Sequence, residues 1–360
     1  MTEFFCGTRI IAGSGALMAL KDLKAQRLLV VTDPFFAKNG TAQRIARQSG
    51  AERWEIFDRV EPDPTAELAA MGTAKVREFQ PDVIVALGGG SAMDCAKAML
   101  YFAESVAKLV AVPTTSGSGS EVTDFAILTH GGTKHPLVDP KLRPFAAILD
   151  DELLSSLPKS LIADAGFDII SHALEALAAK NAGAITDALA RDAFCTAVSL
   201  LPGSFRGYQQ GRLQIHQAAT MAGMAFTQAG LGLCHALAHS LGGLYHIPHG
   251  RLNAILLPEV VEFNVPAVGE KYAELARMAG IGSSADSIAL RNLKNGLVRL
   301  RRQLELPENL AQAGLSPRQV RQDAPKIVEA ALADPCCLTN PRPATAGAVH
   351  QILDEVTGRG

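Results

Sequence analysis

The chain has 360 residues, of which 48% are hydrophobic and 19% are charged. A chain of this length and apolar content forms about two domains with buried cores, which excludes the disordered and collagen-like classes. The net charge is −2, and acidic and basic residues are interspersed. Because no basic run is present, nucleic-acid binding and attachment to an anionic membrane are disfavoured.

Six cysteines are scattered along the chain without a CxxC pair. This usage indicates reduced thiols in a cytoplasmic protein rather than a disulfide framework. The first six residues show no basic region followed by an apolar run, so we expect no signal peptide.

Short apolar runs alternate with helical patterns over the first 150 residues. Nearly continuous apolar runs predict buried parallel strands over 28–32, 83–87, 109–112 and 146–149. Helical spacing predicts helices between them, over 65–79 and 93–107. The alternation predicts an α/β domain over residues 1–155, with a doubly wound, mostly parallel sheet.

From residue 156 onward the strand-like runs give way to helical patterns. These predict helices over 163–180, 185–201, 213–227, 269–278 and 287–304, and an all-α domain over 156–360. Residues 213–250 contain no Asp, Glu, Lys or Arg, yet they hold five of the nine histidines. Because Gly, Gln, Ser and Pro interrupt this stretch, we expect a buried helical hairpin rather than a membrane span.

Two pairs of metal-ligating residue types in this domain share the spacing i, i+4, which places both side chains on one helix face. Asp168 pairs with His172, and His235 pairs with His239, while His249 follows at a predicted turn. Such groups are costly to bury without a partner. A carboxylate with imidazoles suits Fe²⁺ or Zn²⁺ better than Mg²⁺ or Ca²⁺. Ordinary core histidines remain the alternative explanation.

Glycine- and hydroxyl-rich segments follow two of the predicted strands. Residues 88–91 read GGGS and open a helix, and residues 114–120 follow the next strand. Glycines let a backbone approach a pyrophosphate, and a helix N-terminus offers it N–H groups. A tight strand-to-helix turn also explains the first segment. Because both segments lie at the carboxyl edge of one sheet, we expect a nucleotide there.

Asp33 ends the predicted strand over 28–32. Its carboxylate can accept hydrogen bonds from an adenosine ribose and would repel a 2′-phosphate, which predicts NAD rather than NADP. A helix cap directly before Pro34 explains the same residue equally well.

Several motifs together resemble the iron-dependent (iron-containing) alcohol dehydrogenase family. They are GGGS at 88–91 with Asp94, PTTSGSGSEVT at 113–123, G-x-D-x-x-x-H-A-x-E at 166–175, H-x-x-x-H at 235–239, PHG at 248–250 and TNPR at 339–342. The likeness covers nearly the whole chain. Within the family, the chain resembles the 1-propanol dehydrogenases of propanediol-degrading bacterial microcompartments. It implies a dehydroquinate synthase-like architecture, in which an NAD-binding α/β domain precedes a helical metal-binding and substrate domain.

The resemblance also implies an activity and a set of site residues. The activity is NAD(H)- and metal-dependent interconversion of a short-chain aldehyde, such as propanal, and its primary alcohol. His239 would be the catalytic proton relay. The metal, Fe²⁺ with Zn²⁺ as a competitor, would be held by Asp168, His172, His235 and His249. The implied NAD contacts are Asp33, Gly89, Gly90, Ser91, Asp94, Thr114, Thr115, Ser118 and Lys134.

The family likeness further implies a homodimer or larger homo-oligomer. It implies residence in a cytoplasmic bacterial microcompartment, with shell or cargo proteins as partners. One position departs from the family pattern, because Asp63 stands where an Asn is usual before Pro64-Thr65.

Two alternatives to the dehydrogenase stay open at this point. A lyase of the dehydroquinate synthase type uses NAD and a divalent metal on the same architecture, although no phosphate-accepting basic cluster is evident in this sequence. A catalytically inactive scaffold protein would bind NADH tightly without turning over any aldehyde.

Overall fold

The computed structural model describes residues 4–131 and 133–358, apart from the side chain of Thr133. It contains two compact units, one from Phe5 to Leu157 and the other from Pro158 onward. Their boundary lies two residues beyond the expected end of the first domain at residue 155. Among the described helices, none is long and apolar enough to cross a membrane.

The first unit contains a parallel sheet and a separate hairpin. The sheet strands are β1 (Arg9–Ala12), β2 (Arg27–Thr32), β3 (Arg53–Phe57), β4 (Val83–Gly88), β5 (Lys108–Pro113) and β8 (Ala146–Leu149). The hairpin strands are β6 (Phe125–His130) and β7 (Thr133–Val138), which pair antiparallel. The α-helices are α1 (Pro34–Lys38), α2 (Thr41–Gln48), α3 (Ala66–Phe79) and α4 (Gly90–Phe102). Short 3₁₀ helices span Ala16–Leu23, Ser120–Val122, Pro140–Leu142 and Asp151–Leu154.

The sheet has the order β1-β8-β5-β4-β2-β3, and all its pairs are parallel. Helices cover both of its faces, which is why its central strands are continuous apolar runs. Leu29 and Ile84 face a core shared with α3 and α4, whereas Leu28 and Val85 face a core shared with α2. The predicted doubly wound α/β domain is therefore confirmed.

The direction of winding reverses at β2, because β3 lies on one side of it and β4 on the other. Open parallel sheets bind ligands beyond the carboxyl ends of the strands at such a switch point. Thr32 is paired with Leu87 across β2 and β4. The residues that follow them, Asp33 and Gly88, therefore lie side by side at the switch point.

Four strands were not predicted from the sequence. β3 is an edge strand with exposed side chains that include Trp54, and β1 has only four residues at the other edge. In the hairpin, β6 alternates between buried and partly exposed side chains, and β7 contains Pro136. Half-exposed or very short strands lack the continuous apolar runs that mark buried parallel strands.

The described part of the second unit is all-α, as predicted. Its helices are α5 (Lys159–Ala178), α6 (Ala184–Phe205), α7 (Arg212–Ala229), α8 (Leu233–Tyr245), α9 (His249–Met278), α10 (Asp286–Gln303), α11 (Pro317–Ala333), α12 (Pro335–Thr339) and α13 (Ala346–Thr357). The predicted helix over 269–278 is the end of α9, whose backbone leaves helical geometry at Val268.

The charge-poor stretch 213–250 forms α7, α8 and the start of α9. α7 packs mainly against α5 and α6, whereas α8 packs mainly against α9 and α11. The expected hairpin of two mutually packed helices is therefore wrong. The turn between the helices redirects the chain, with Gly230 at a φ of 86°, a conformation that glycine adopts without strain.

Candidate metal centre and cofactor-binding loops

Four predicted metal ligands converge in the second unit. Asp168 and His172 lie one turn apart on α5, His235 lies on α8, and His249 is the first residue of α9. Oδ1 of Asp168 lies 3.8 Å from Nε2 of His172 and 3.8 Å from Nε2 of His235. It lies 3.6 Å from Nε2 of His249. The i, i+4 spacing on α5 therefore places both of its ligand side chains at one point.

This donor set fits a divalent transition metal. Ligand atoms held tetrahedrally at about 2.1 Å from one ion lie about 3.4 Å apart, close to the separations of 3.6–3.8 Å seen here. Burial opposes ionisation of Asp168, but the neighbouring imidazoles lower its pKa far below the usual range. A buried carboxylate among imidazole nitrogens favours a cation, and such a set suits Fe²⁺ or Zn²⁺.

The start of α9 approaches α5 closely because residue 250 has no side chain. A Cβ on Gly250 would lie 1.9 Å from the backbone oxygen of Asp164. Arg251 holds the start of α9 against α5 by donating two hydrogen bonds to Asp164. Its Nε lies 3.2 Å from Oδ1, and its Nη2 lies 3.0 Å from Oδ2. The Pro-His-Gly motif thereby brings His249 within reach of Asp168.

Glu175 orients His235. It lies on the same face of α5 as Asp168, seven residues later, and is 3% exposed. Its Oε2 accepts a hydrogen bond from Nδ1 of His235 at 2.6 Å. The carboxylate also accepts from the backbone N–H groups of Gly232 at 3.0 Å and Cys234 at 2.7 Å. Because its Nδ1 is bonded to Glu175, His235 presents Nε2 to Asp168 and the other candidate metal ligands.

The charge around His235 also favours a cation. Burial lowers the pKa of His235, but hydrogen bonds to Asp168 and Glu175 outweigh it and raise the pKa to about 9. The two carboxylates that stabilise a proton on this ring would likewise stabilise a metal ion beside it.

The side-chain amide of Asn253 donates hydrogen bonds to two of the candidate metal ligands. Asn253 lies one turn after His249 on α9, and its Nδ2 is 2.8 Å from Oδ1 of Asp168 and 3.1 Å from Nε2 of His249. Burial lowers the pKa of His249 well below its usual value, so this ring is neutral. Because the amide nitrogen can only donate, Nε2 of His249 carries the lone pair that a metal would use.

His239 lies beside the cluster, where its ring stacks on His249 with centroids 5.2 Å apart. Its Nδ1 is 2.9 Å from Oδ2 of Asp334. Burial raises the pKa of Asp334, but the bond with His239 outweighs it and lowers the pKa below the usual value. A carboxylate on Nδ1 fixes the ring and leaves Nε2 to exchange protons, which is the arrangement that a proton relay needs.

In the first unit, the two predicted cofactor segments lie against each other. α4 begins at Gly90 with Gly89 as its N-cap, so the GGGS segment opens a helix as expected. A Cβ on Gly89 would lie 3.3 Å from Oγ1 of Thr115, and one on Gly90 would lie 3.2 Å from Cβ of Ser118. The first turn of α4 carries no acidic side chain. The positive end of the helix, which includes Ser91, is therefore suited to an anion.

Asp94 attaches the second segment to α4. Its Oδ1 accepts from Oγ of Ser120 at 2.8 Å, and its Oδ2 accepts from the N–H of Ile127 at 3.1 Å. Lys97, fully buried one turn later, donates to Oγ of Ser120 at 3.0 Å and to Oγ1 of Thr123 at 2.8 Å. The structure thus gives Asp94 a positioning role, and its direct contact with a cofactor stays a prediction.

Asp33 caps α1, as one of its two interpretations predicted. Its Oδ1 accepts from the N–H groups of Phe35 at 2.8 Å and Phe36 at 3.1 Å. Both bonds use the same oxygen, and the residue lies at the switch point of the sheet. The ribose contact therefore stays a prediction alongside the cap.

Lys134 lies on β7, where its Nζ is 2.6 Å from Oδ1 of Asp63. Asp63 is the residue that departs from the family pattern. The carboxylate at this position therefore forms an ion pair with Lys134, a predicted cofactor-binding residue. The contact of Lys134 with a cofactor stays a prediction, as do those of Thr114 and the other segment residues.

Two family profiles match this chain over most of its length. The profile described as iron-containing alcohol dehydrogenase matches residues 7–151. The profile described as the Fe-containing alcohol dehydrogenase family, C-terminal, matches residues 162–357. The chain belongs to the iron-containing alcohol dehydrogenase family. The predicted family is therefore confirmed, and the chain is a metal-dependent alcohol dehydrogenase.

Curated relatives align with this alcohol dehydrogenase from end to end. It is 40% identical to 1-propanol dehydrogenase PduQ of Salmonella typhimurium, over 99% of this chain and 100% of the relative. It is 34% identical to the NADPH-dependent butanol dehydrogenase of Clostridium saccharobutylicum, over 98% of this chain and 97% of the relative. These relatives give no support to the lyase or the inactive scaffold.

Solved structures share the fold. The structure of 1,3-propanediol oxidoreductase has a TM-score of 0.92 and 32% identity, covering 99% of this chain and 100% of that one. Sulfoacetaldehyde reductase from Bifidobacterium kashiwanohense, solved in complex with NAD⁺, has a TM-score of 0.91 and 25% identity, covering 100% of both chains. The predicted fold class is therefore confirmed.

No functional role was predicted for three residues that support the alcohol dehydrogenase site. Two of them carry a local signal, because Glu175 shares a helix face with Asp168 and Asn253 lies four residues after His249. Asp334 is 95 residues from its partner His239, and no sequence spacing links the two.

Proposed function

We propose that this alcohol dehydrogenase reduces propanal, or an aldehyde of similar length, to its primary alcohol with NADH. The observation that carries the proposal is the buried cluster in which Oδ1 of Asp168 lies 3.6–3.8 Å from three imidazole Nε2 atoms. The choice of substrate is supported by 40% identity to a 1-propanol dehydrogenase over both full chains. The reaction adds a hydride to the carbonyl carbon and a proton to its oxygen, and it regenerates NAD⁺.

The residues that would hold the metal are Asp168, His172, His235 and His249. When bound, the metal polarises a carbonyl oxygen and the nicotinamide supplies the hydride. We propose Fe²⁺ as this metal, with Zn²⁺ as a competitor that binds such nitrogen-rich sites tightly. Glu175 keeps the imidazole of His235 turned toward the ion through Nδ1.

His239 gives the proton to the alcohol oxygen in this proposal. Asp334 holds Nδ1, so Nε2 releases the proton and recovers one from water. Phe226 forms an apolar wall, because its ring stacks on His172 with centroids 4.4 Å apart and is 3% exposed. Such a wall excludes water from the reacting carbon.

We propose that NADH binds at the switch point of the parallel sheet. Its pyrophosphate would lie at the N-terminus of α4, its ribose at Asp33, and an anionic group at Lys134. The remaining proposed contacts are Gly89, Gly90, Ser91, Asp94, Thr114, Thr115 and Ser118. A relative is named for NADPH, so the coenzyme preference depends on Asp33 and is tested below.

We also propose a homodimer or larger homo-oligomer that resides in a cytoplasmic bacterial microcompartment with shell or cargo proteins. The homo-oligomer is what the family resemblance implies, and likeness to a 1-propanol dehydrogenase named PduQ supports residence in the microcompartment. Sedimentation of the purified chain tests the first, and a monomer would contradict it. Co-purification with intact microcompartments tests the second, and complete recovery in the free fraction would contradict it.

The experiment that tests the activity uses protein purified without oxygen, stripped of metal and reloaded with Fe²⁺ or Zn²⁺. NADH oxidation is followed with propanal and with longer and shorter aldehydes. We expect turnover that requires metal and is lost in His249→Gln. The exposed His246 lies three residues earlier, so His246→Asn is the matched control and should keep activity. No turnover with either metal, while NADH still binds, would contradict the proposal.

A further inference from the structure

A second group of metal-ligating side chains lies next to the first. His239 on α8, Asp334 at the start of α12 and Cys336 within α12 offer a nitrogen, an oxygen and a sulfur. These three ligand atoms lie within 4.8 Å of one another. None of the three residues belongs to the four proposed iron ligands.

Hydrogen bonds already hold this second group together. Asp334 accepts from the backbone N–H of Cys336 through Oδ1 at 2.8 Å, and its Oδ2 is 2.9 Å from Nδ1 of His239. The side chains of His239 and Asp334 are 25% and 15% exposed. The group is therefore partly ordered before an ion arrives, and ions can reach it from solvent.

The chemistry of the three donors favours zinc. Zn²⁺ accepts thiolate, imidazole and carboxylate ligands together, whereas Mg²⁺ and Ca²⁺ prefer oxygen alone. In a tetrahedral zinc site a sulfur and a nitrogen ligand lie about 3.5 Å apart. Since the three ligand atoms lie within 4.8 Å of one another, they would need to draw together by about 1.3 Å at most, and side-chain rotation can supply this.

We propose that His239, Asp334 and Cys336 form a second divalent-metal site, which takes zinc in preference to Mg²⁺ or Ca²⁺, and that zinc bound there inhibits the enzyme. The inhibitory part rests on the proposed function, in which His239 relays a proton. Zinc on Nδ1 would replace the 2.9 Å hydrogen bond to Asp334 that fixes the His239 ring. The ring would then be held by the ion and could not relay protons as proposed.

The Cys336 thiol keeps its proton until a cation binds. Burial raises its pKa well above the usual value, and the Asp334 carboxylate adds to this. A coordinated divalent cation reverses the balance, because a thiol that binds a metal loses its proton.

The test titrates the iron-loaded holoenzyme with Cd²⁺ and follows the ultraviolet charge-transfer band of a cadmium thiolate. The four proposed iron ligands include no thiolate, so this band cannot come from cadmium at the iron site, and the cysteine variants below assign it to Cys336. We expect the band to saturate at one Cd²⁺ per chain and to disappear when Zn²⁺ competes. Zinc should inhibit propanal reduction over the same concentration range, with the iron content unchanged.

Two neighbouring cysteines provide a matched pair of variants. Cys336→Ser should abolish the band and raise the zinc concentration for half inhibition by more than about tenfold. Cys337→Ser should leave both unchanged. If Cys336→Ser does not fold, His239→Gln keeps the thiol but removes the nitrogen, and it should weaken Cd²⁺ binding by more than about tenfold.

Several results would overturn the proposal. They are the absence of a thiolate band, a band that depends on Cys337, Cd²⁺ affinity unchanged by His239→Gln, and zinc inhibition that is equal in the two cysteine variants. Equal inhibition would assign the effect to displacement of iron. If the enzyme reduces no aldehyde, the proposed function fails, and the cadmium spectra still decide whether the site exists.

Discussion

Replacing Glu175 with Gln should weaken metal binding although no ligand atom is changed. Glu175 accepts from Nδ1 of His235 at 2.6 Å. It also accepts from the backbone N–H groups of Gly232, Cys234 and His235 at the start of α8, at 3.0, 2.7 and 3.3 Å. A Gln of the same size accepts with one oxygen only, and its amide group turns a donor toward these donors.

The expected size of the effect follows from these contacts. Loss of a carboxylate that orients a metal-ligating imidazole lowers metal affinity by about 10- to 100-fold, which corresponds to about 1.4–2.8 kcal/mol. Buried N–H groups that lose their acceptor cost about 1–3 kcal/mol of unfolding free energy. Glu175→Gln should therefore bind metal more weakly and also unfold at a lower temperature.

Competition with a chromophoric chelator measures the metal affinity of the stripped protein, and thermal unfolding measures its stability. Asn340→Ala is the matched control, because Oδ1 of Asn340 caps the same end of α8 through the N–H of Leu233 at 3.0 Å. The control should lose stability with little change in metal affinity. Equal losses of affinity in the two variants would refute the orienting role of Glu175, as would wild-type affinity in a folded Glu175→Gln protein.

Three further changes test the first unit. Asp33→Ser keeps a cap for α1 but removes the negative charge, so the ratio of kcat/KM with NADPH to that with NADH should rise by about tenfold or more; an unchanged ratio would exclude the ribose contact. Asp63→Asn breaks the 2.6 Å ion pair with Lys134 and should lower KM for NADH severalfold at constant kcat, whereas a higher KM would count against Lys134 as a cofactor contact. Burial lowers the pKa of Lys97 from 10.5 to about 8, so the unfolded chain binds more protons between these values. The unfolding free energy, followed through the single Trp54, should therefore rise over that pH range by up to about 3 kcal/mol relative to Lys97→Met, and parallel pH profiles would contradict this.

The elements that the sequence predicted share a physical cause. Strands β2, β4, β5 and β8 lie at the centre of a sheet that is covered on both faces, so burial imposes continuous apolar runs on them. The strands β1 and β3 lie at the edges, where half-exposed side chains remove that signal. Helical spacing indicated α4 only from residue 93, because glycines carry no side chain to show periodicity, and the expectation that GGGS opens a helix supplied its start at Gly90.

Spacing alone pointed to a metal site, because Asp168 and His172 lie one helix turn apart, as do His235 and His239, whereas the choice of the four candidate ligands came from the family resemblance. Helical periodicity puts Asp168 and His172 on one face, and a charge-poor neighbourhood makes buried histidines conspicuous. The contacts of Asp334 with His239 and of Asn340 with Leu233 could not be predicted from sequence spacing. They join residues 95 and 107 positions apart, and only the packing of α8 against α11 and α12 brings them together.

The most direct test of the metal centre is anomalous diffraction from crystals of the iron-loaded enzyme, recorded above and below the iron absorption edge. The structure predicts one iron peak per chain, bound at about 2.0–2.3 Å to a carboxylate oxygen and three imidazole nitrogens. The predicted ligands are Asp168, His172, His235 and His249. An iron peak at His239, Asp334 and Cys336 instead, or none in crystals of active enzyme, would contradict the account.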